Sequence, residues 1–568
     1  MDNKKIAKIL YEIADMLEIQ DVEFKPRAYR RAAQSIESLQ ENITRYYNED
    51  KLEDIPGVGR HIAEKLKELI KTGKLGYYEN LKKELPIDFE SLTRVEGIGP
   101  KKIKALYKNL KIKNLQDLKK AAEQGNVKNL EGFGEKIERE ILESVEFAKK
   151  SESRILLGQA LPEAEKIRHF LEQSRYAGKV EIAGSIRRMK ETIGDLDILI
   201  TSKYPGKLMD YFTKAKFIKK ILGKGATKSS VILDSGLQID VRVIDNESFG
   251  SAMQYFIGSK EHNIAVRKIA IKKGLKLSEY GVFKGSKKIA GATEESVYKA
   301  LGLRYMDPEI RENSGEIEAS LKNKLPKLIN YNEIKGDLQM HTKYSDGSNT
   351  IMEMAEKAKK LNYKYIGITD HVGNLRIAGA LSKKEIAKQH DEINKMNKRL
   401  SSFTILKGCE ANIKENGELD LDNETLKRFD FVIASIHSGL KNSREKATAR
   451  ILKAMENRYV NIIAHPTGRL INKRKGYELD FEKIFDKSNK TNTFLEINAF
   501  PDRLDLNSIN IREAINHKCR LAINTDAHNI EHLDFMRYGI GTARKGWAEA
   551  KDIINTKSLN ELLKAIKK

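Results

Sequence analysis

Gly184-Ser185-Ile186-Arg187-Arg188, followed by Gly194-Asp195-Leu196-Asp197-Ile198-Leu199-Ile200, is the stretch that organises the chain. Its second part reads as a strand, because apolar and β-branched residues follow a glycine turn. Asp195 and Asp197 are two apart, so they face the same side of that strand. Two carboxylates on one face repel each other unless a cation sits between them. The Gly184-Ser185 turn offers amides and a hydroxyl to a phosphate, and Arg187 and Arg188 add positive charge. A second alternating strand, Gln238-Ile239-Asp240-Val241-Arg242-Val243-Ile244, turns Ile239, Val241 and Val243 one way and Asp240 the other. An isolated Asp-x-Asp is commonly a solvated pair on an edge strand. Three carboxylates on two neighbouring strands, behind a Gly-Ser turn, instead make a two-metal site for phosphoryl transfer.

These residues resemble the nucleotidyltransferase palm of family X DNA polymerases, the β-like repair polymerases. Tyr255-Phe256-Ile257-Gly258-Ser259 is similar to that family's Tyr-Phe-Thr-Gly-Ser motif, with Ile257 in place of Thr, and Asn263 and Arg267 follow at the family's spacing. The resemblance covers residues 1–310. It implies that Asp195, Asp197 and Asp240 are catalytic and bind Mg2+ (or Mn2+). It implies that Gly184, Ser185, Arg188 and Arg154 hold the triphosphate of a dNTP. Tyr255, Phe256, Gly258, Ser259 and Asn263 would contact sugar and base, and Arg267 the template strand.

The chain has 568 residues, room for about four domains. Lys and Arg total 104 against 81 Asp and Glu, a net charge of +23. Residues 1–333 hold 62 basic and 50 acidic residues, and residues 334–568 hold 42 and 31. The excess is therefore spread over both halves, as expected if every part meets a polyanion. The two cysteines, Cys409 and Cys519, imply no disulfide framework and a reducing compartment. Met1-Asp2-Asn3-Lys4-Lys5 opens an amphipathic helix and not a secretory signal, and no apolar run reaches membrane-spanning length. The expectation is a cytoplasmic monomer with no membrane partner.

Apolar residues Ile6, Ile9, Leu10, Ile13, Met16 and Leu17 recur at helical spacing, and a second helix is expected over 27–39. Ile55-Pro56-Gly57-Val58-Gly59 then makes a tight turn between helices. The helix that follows starts with amides facing outward, a natural phosphate seat. The pattern recurs at Gly97-Ile98-Gly99 and Gly132-Phe133-Gly134. Three copies at similar spacing are an internal repeat that looks like the helix-hairpin-helix DNA-binding element. Such turns grip backbone and carry no base code. In β-like polymerases the first domain is also a 5'-deoxyribose phosphate lyase that works through a Lys Schiff base. Lys65 falls at that lysine's place, and Lys25 and Tyr29 match two supporting positions. Phe24 and His61 depart from the family's supporting His and Lys.

Eight of the eleven histidines lie in residues 334–568. Five end apolar, strand-like runs or begin the loop after them: His341, His371, His437, His465 and His528. Another such run ends in Glu410, and acids follow two of the runs at Asp346 and Asp526. Strands alternate with helical stretches at 351–361, 383–400, 443–458 and 508–517. This alternation argues for an α/β barrel, whose strand C-termini gather polar residues at one mouth. Histidines and acids converging there are metal ligands. The pattern resembles the PHP (polymerase and histidinol phosphatase) domain, a distorted seven-stranded barrel with a multinuclear metal site. By that resemblance His341, Asp346, His371, Glu410, His437, His465, Asp526 and His528 would bind Mn2+ and/or Zn2+. Gln339 replaces the first His of the family's opening motif. Asp370 and Arg469 could orient ligands or bind phosphate.

The expected fold is therefore multidomain α/β and α+β: a helical lyase-like region (1–85), a second hairpin region (86–150), a nucleotidyltransferase palm (151–248), a thumb-like nucleotide-closing subdomain (249–312), a linker (313–333) and a (βα)7 PHP barrel (334–568). The expected function is gap-filling DNA synthesis on gapped or primer-template DNA, with 3'-5' exonuclease, 3'-end processing and AP endonuclease activity at the barrel. The alternatives are a DNA-binding repair scaffold with one active metal site and a template-independent nucleotidyltransferase.

Overall fold

The computed structural model describes residues 3–37, 43–93, 95, 98–130, 132–135, 137–139, 141–142, 154–373, 378–439 and 442–567. The chain divides into two compact units, the first comprising residues 1–153 with 472–474 and the second the remainder. Among the described residues, no helix is long and apolar enough to cross a membrane.

The described part of the first unit is helical. The helices Asn3–Ile19 and Lys25–Glu37 bury Ile6, Leu10, Ile13, Ala32 and Ala33 in one core. Three turns in this unit share one geometry. The amide of Val58 donates to Ile55 O at 2.9 Å, that of Ile98 to Val95 O at 3.1 Å and that of Phe133 to Leu130 O at 3.0 Å. Each donor's apolar side chain is buried, so each turn is plugged into the core by its middle residue. The helices Arg60–Thr72 and Pro100–Leu110 begin from Gly59 and Gly99, neither of which supplies a capping side chain. Gly57 has φ +85°, and a Cβ there would sit 2.7 Å from Arg31 Cγ, so the first turn requires glycine.

The second unit opens on a five-stranded sheet. Its strands are β1 (Val180–Ile182), β2 (Asp195–Ile200), β3 (Ile218–Lys224), β4 (Lys228–Leu233) and β5 (Gln238–Val243), in the order β1-β2-β5-β4-β3. Only the β2/β5 pair is parallel. Alternation along β2 explains its burial: Leu196, Ile198 and Ile200 pack with Leu157, Leu208 and Phe212, and Leu199 packs on the other face with Phe249, Met253 and Ile257. Helices Phe249–Ile257, Lys260–Lys272 and Glu294–Ala300 follow, with a small meander of β6 (Lys276–Ser278), β7 (Gly281–Lys284) and β8 (Lys287–Ala290).

The C-terminal half is a parallel barrel of seven successive strands: β9 (Gly336–Asp337), β10 (Tyr365–Ile368), β11 (Thr404–Asn412), β12 (Phe431–Ser435), β13 (Val460–Ile463), β14 (Phe494–Asn498) and β15 (Leu521–Asn524). The two-residue strand His371–Val372 adds to β11. A parallel bridge from Met340 to Ala527 brings the last strand back to the first, with His341 N donating to Ala527 O at 2.7 Å. The intervening helices include Ile351–Lys360, Lys383–Asn397, Arg444–Glu456 and Ser508–Asn516.

Segment 313–333, expected as a linker, packs into the cores on both of its sides. Ile317 and Leu328 pack with the thumb-like helices, while Ile329 enters the barrel core and its amide donates to Ala548 O at 2.9 Å. Consecutive apolar residues at 328 and 329 serve both sides. Palm and barrel are likewise continuous, because Leu504 and Tyr538 of the barrel are buried in the palm core. A Cβ on palm Gly158 would lie 2.4 Å from Pro501 Cβ. Leu504→Ala is expected to destabilise the second unit by about 2–5 kcal/mol through the cavity it leaves. Denaturant unfolding checks this, and a loss below about 1 kcal/mol would contradict the shared core.

Candidate active sites

The parallel pairing of β2 and β5 sets Asp197 directly opposite Asp240, with Asp195 opposite Gln238. Asp195 is exposed, and Asp197 and Asp240 are half-buried. Burial and the charges of Asp195 and Asp240 push the Asp197 carboxyl up to about 6. Burial works the same way on Asp240, but Lys228 and Ser230 outweigh it and hold that group below its usual value. Asp240 Oδ2 lies 2.9 Å from Lys228 Nζ and 3.0 Å from Arg242 Nη2. These are clustered hard oxygen donors, only one of which is paired with cationic side chains, and that set fits Mg2+ or Mn2+.

Gly184 sits against this trio. Its φ is +72°, and a Cβ would lie 3.0 Å from Asp197 Oδ2. The neighbouring Ser185 hydroxyl is buried without a hydrogen-bond partner, an orphan that a phosphate oxygen would satisfy. Arg188 bonds Ile257 O, and its Nε is 3.2 Å from Glu312 Oε1. Gly258, at φ +74°, leaves room for the Arg188 guanidinium, since a Cβ would lie 3.1 Å from Nη1. Arg154 donates to Thr192 O at 2.6 Å and borders Gly194, so it holds the turn ahead of Asp195.

Asn263 Nδ2 donates to Tyr255 O at 2.7 Å, and its Oδ1 accepts from Gln254 at 2.7 Å, tying the two motifs together. Tyr255 and Phe256 pack edge to face, with Arg242 over the Phe256 ring. Ser259 caps the next helix by accepting from His262 N, and Arg267 is exposed on that helix. The sequence reading passed over His262, which is fully buried between Glu316 (2.7 Å) and Tyr298 (2.9 Å). A lone histidine in a helix gave no sign of so distant a partner.

In the first unit, Lys65 Nζ donates to His61 O at 3.3 Å and lies 4.9 Å above the Tyr77 ring. Tyr77 stacks on the buried Tyr29, and Lys25 is exposed at the head of its helix. Of the six hairpin glycines, Gly57, Gly59, Gly99, Gly132 and Gly134 are described; Gly97 lies outside the described residues.

The barrel mouth gathers all eight expected ligands. His341, Asp346, His371 and His528 form one group, His371, Glu410 and His437 a second, and His341, Glu410 and Asp526 a third. His465 Nε2 lies 3.2 Å from Glu410 Oε1. Glu410, on β11 beside His371 on the adjoining strand, is the hub. Two of the ligand positions, His465 and Asp526, have positive φ, strain that is tolerated at functional sites. Burial raises Glu410 and Asp526, but the surrounding imidazoles outweigh it and hold both well below the usual carboxylate range. Burial opposes charge on His341 too, yet Asp526 and Glu410 lift it well above normal, while burial pushes His371 down to about 4. Ring nitrogens of His341, His371 and His465 are buried without hydrogen-bond partners, as is Gln339 Oε1. Mixed nitrogen and oxygen donors with such orphans fit Mn2+ or Zn2+.

Asp370 takes the ligand-orienting one of its two expected roles. Asp370 accepts from Thr342 N (2.7 Å), Thr342 Oγ1 (2.7 Å), Ser345 Oγ (2.5 Å) and Gln389 Nε2 (2.6 Å). It fixes the loop that carries Asp346 and has no capacity left for a metal. Arg469 grips palm Glu191 at 2.6 and 3.1 Å and also bonds Leu504 O, so its terminal nitrogens are engaged within the protein. Arg503, which the sequence reading missed, approaches Asp526 Oδ2 at 3.7 Å. Only the proximity of its loop to β14 could have singled it out.

A nucleotide-transfer sheet joined to a histidine-rich parallel barrel defines a two-site phosphoryl-transfer protein. Family profiles agree: helix-hairpin-helix domain over 1–75, SAM-like helix-hairpin-helix tandem over 89–146, DNA polymerase beta thumb over 252–312 and PHP domain over 337–499. The chain is 39% identical to DNA polymerase/3'-5' exonuclease PolX of Bacillus subtilis (strain 168), over 99% of both chains. It is 26% identical to DNA polymerase lambda of Rattus norvegicus, over 55% of this chain and 56% of that one. It is 30% identical to a probable phosphatase of Clostridium novyi (strain NT), over 28% of this chain and 63% of that one. The chain belongs to the PolX family, family X DNA polymerases with a C-terminal PHP domain.

The raised Asp197 carboxyl gives a pH prediction. The group must lose its proton to ligate, so palm affinity for Mn2+ is expected to fall as pH drops through about 6, approaching tenfold per unit below it. Nucleotide addition titrated with Mn2+ from about pH 5 to 8 checks this. A flat apparent affinity would contradict it.

Proposed function

We propose that this chain is a gap-filling DNA repair polymerase that also processes 3' ends. The palm adds dNTPs to a primer in gapped or primer-template DNA. The barrel hydrolyses phosphodiester bonds as a 3'-5' exonuclease and acts on blocked ends and abasic sites. The observation that carries this reading is the presence, in one chain, of two separate clusters that share no residue: the carboxylates on β2 and β5, and the histidines and acids of the barrel mouth. Asp195, Asp197 and Asp240 would hold Mg2+ (or Mn2+), and the eight barrel ligands would hold Mn2+ and/or Zn2+. Bound there, such ions activate an attacking oxygen and stabilise charge at phosphorus. Gly184, Ser185 and Arg188 seat the triphosphate, and Asn263 fixes Tyr255 for the sugar and base. The hairpin amides grip DNA backbone without reading sequence. The complete acid trio disfavours a scaffold, and the three hairpins favour templated DNA synthesis over template-independent transfer.

Asp197→Ala with Asp240→Ala is expected to lower primer extension at least about a thousandfold and leave 3' digestion intact. His341→Ala with Asp526→Ala is expected to do the reverse. Extension retained by the first pair, or digestion retained by the second, would contradict the assignment. Lyase chemistry at Lys65 is supported by the amine's place over Tyr77, beside Tyr29. Borohydride reduction on a 5'-deoxyribose phosphate substrate should trap a covalent adduct that Lys65→Ala abolishes; no adduct would retire the idea.

A further inference from the structure

The helix Met536–Lys545 belongs to the barrel by its packing, since Met536, Ile540 and Ala543 are buried in the barrel core. Its other face carries Tyr538, Gly541 and Lys545, which share one stripe at three- and four-residue spacing. That stripe meets the palm loop after the Gly184-Ser185 turn. Gly541 admits Met189, since a Cβ there would lie 2.7 Å from Met189 Cγ. Lys545 Nζ donates to Glu312 Oε1 at 2.5 Å. The same carboxylate lies 3.2 Å from Arg188 Nε and 3.1 Å from Lys190 Nζ. The side chains of Lys545, Arg188 and Glu312 are only 10%, 11% and 19% exposed, so this is not a solvated surface pair. Lys545 takes no part in the histidine cup.

We propose that Lys545 of the barrel is a positioning residue for the polymerase site: it anchors Glu312, and Glu312 holds Arg188 beside the nucleotide turn. The proposal rests on the reading of Arg188 as a triphosphate contact. The charge arrangement supports it. Burial raises the Glu312 carboxyl, and Lys545 is the largest influence opposing this, ahead of Arg188 and Lys190; the net effect holds Glu312 ionised below its usual range. Without Lys545, Glu312 keeps Arg188 and Lys190 but loses its anchor on the barrel side. Arg188 then samples orientations that a triphosphate must select against, which appears as weaker nucleotide binding. The barrel thereby takes part in nucleotide binding by the palm while its own chemistry stays separate.

The test uses the full-length protein, dNTP incorporation into a one-nucleotide gap and, alongside, digestion of a single-stranded 3' end. Lys545→Met is expected to raise KM for dNTP about five- to tenfold, with kcat within about twofold and digestion unchanged. Lys545→Arg should restore KM. An unchanged or lowered KM in Lys545→Met would overturn the proposal. If Lys545→Met also loses digestion, the fold is disturbed, and Glu312→Gln becomes the deciding variant: a raised KM supports the proposal and an unchanged one overturns it. Arg188→Ala separates the two levels. A raised KM there with an unaffected Lys545→Met rejects only the role of Lys545, whereas an unaffected Arg188→Ala rejects the reading of Arg188 as well.

Discussion

The parallel pairing that sets Asp197 opposite Asp240 is the constraint on which the polymerase half depends. Two half-buried carboxylates held opposite each other repel, and although Lys228 and Arg242 relieve Asp240, the Asp197 carboxyl is still pushed up to about 6. The fold enforces the arrangement because both strands are buried on their other positions. Ile198 and Leu199 on one strand and Ile239 and Val241 on the other cannot turn outward without emptying the core. Hydrophobic burial thus supplies the free energy that keeps like charges together, and metal binding would return part of it.

The barrel solves the same problem with more groups. Its strand C-termini bring imidazoles and carboxylates to one mouth, where each acid is stabilised by several rings and several ring nitrogens remain without hydrogen bonds. A site with this much donor capacity left over is poised for cations and not for internal pairing alone. Polar residues behind the mouth hold the ligands in place. Asp370 pins the loop before Asp346, and Glu496 accepts from His465 N at 2.8 Å and from Asn524 at 2.8 Å.

Much of this was legible in the sequence because its signals were local. Asp195, Asp197 and Asp240 stood out by strand alternation, the three hairpins by repetition, and the barrel ligands by their place after apolar runs. What escaped notice depends on partners far apart in the chain. Glu312 meets Lys545 across more than two hundred residues, and His262 meets Glu316 through a fold no periodicity reveals. Arg469 was expected to orient ligands or bind phosphate, but its two terminal nitrogens are engaged by Glu191 of the palm. Spacing along the chain locates donors and acceptors; it does not say which of them are already taken.

The measurement that bears most directly on this account is anomalous scattering from crystals of the protein grown with Mn2+ and a non-hydrolysable dNTP. The account predicts manganese peaks bounded by Asp195, Asp197 and Asp240 and, separately, within the cup formed by His341, His371, Glu410, His437, His465, Asp526 and their neighbours. A palm without metal while nucleotide is bound, or manganese held by other residues, would contradict it.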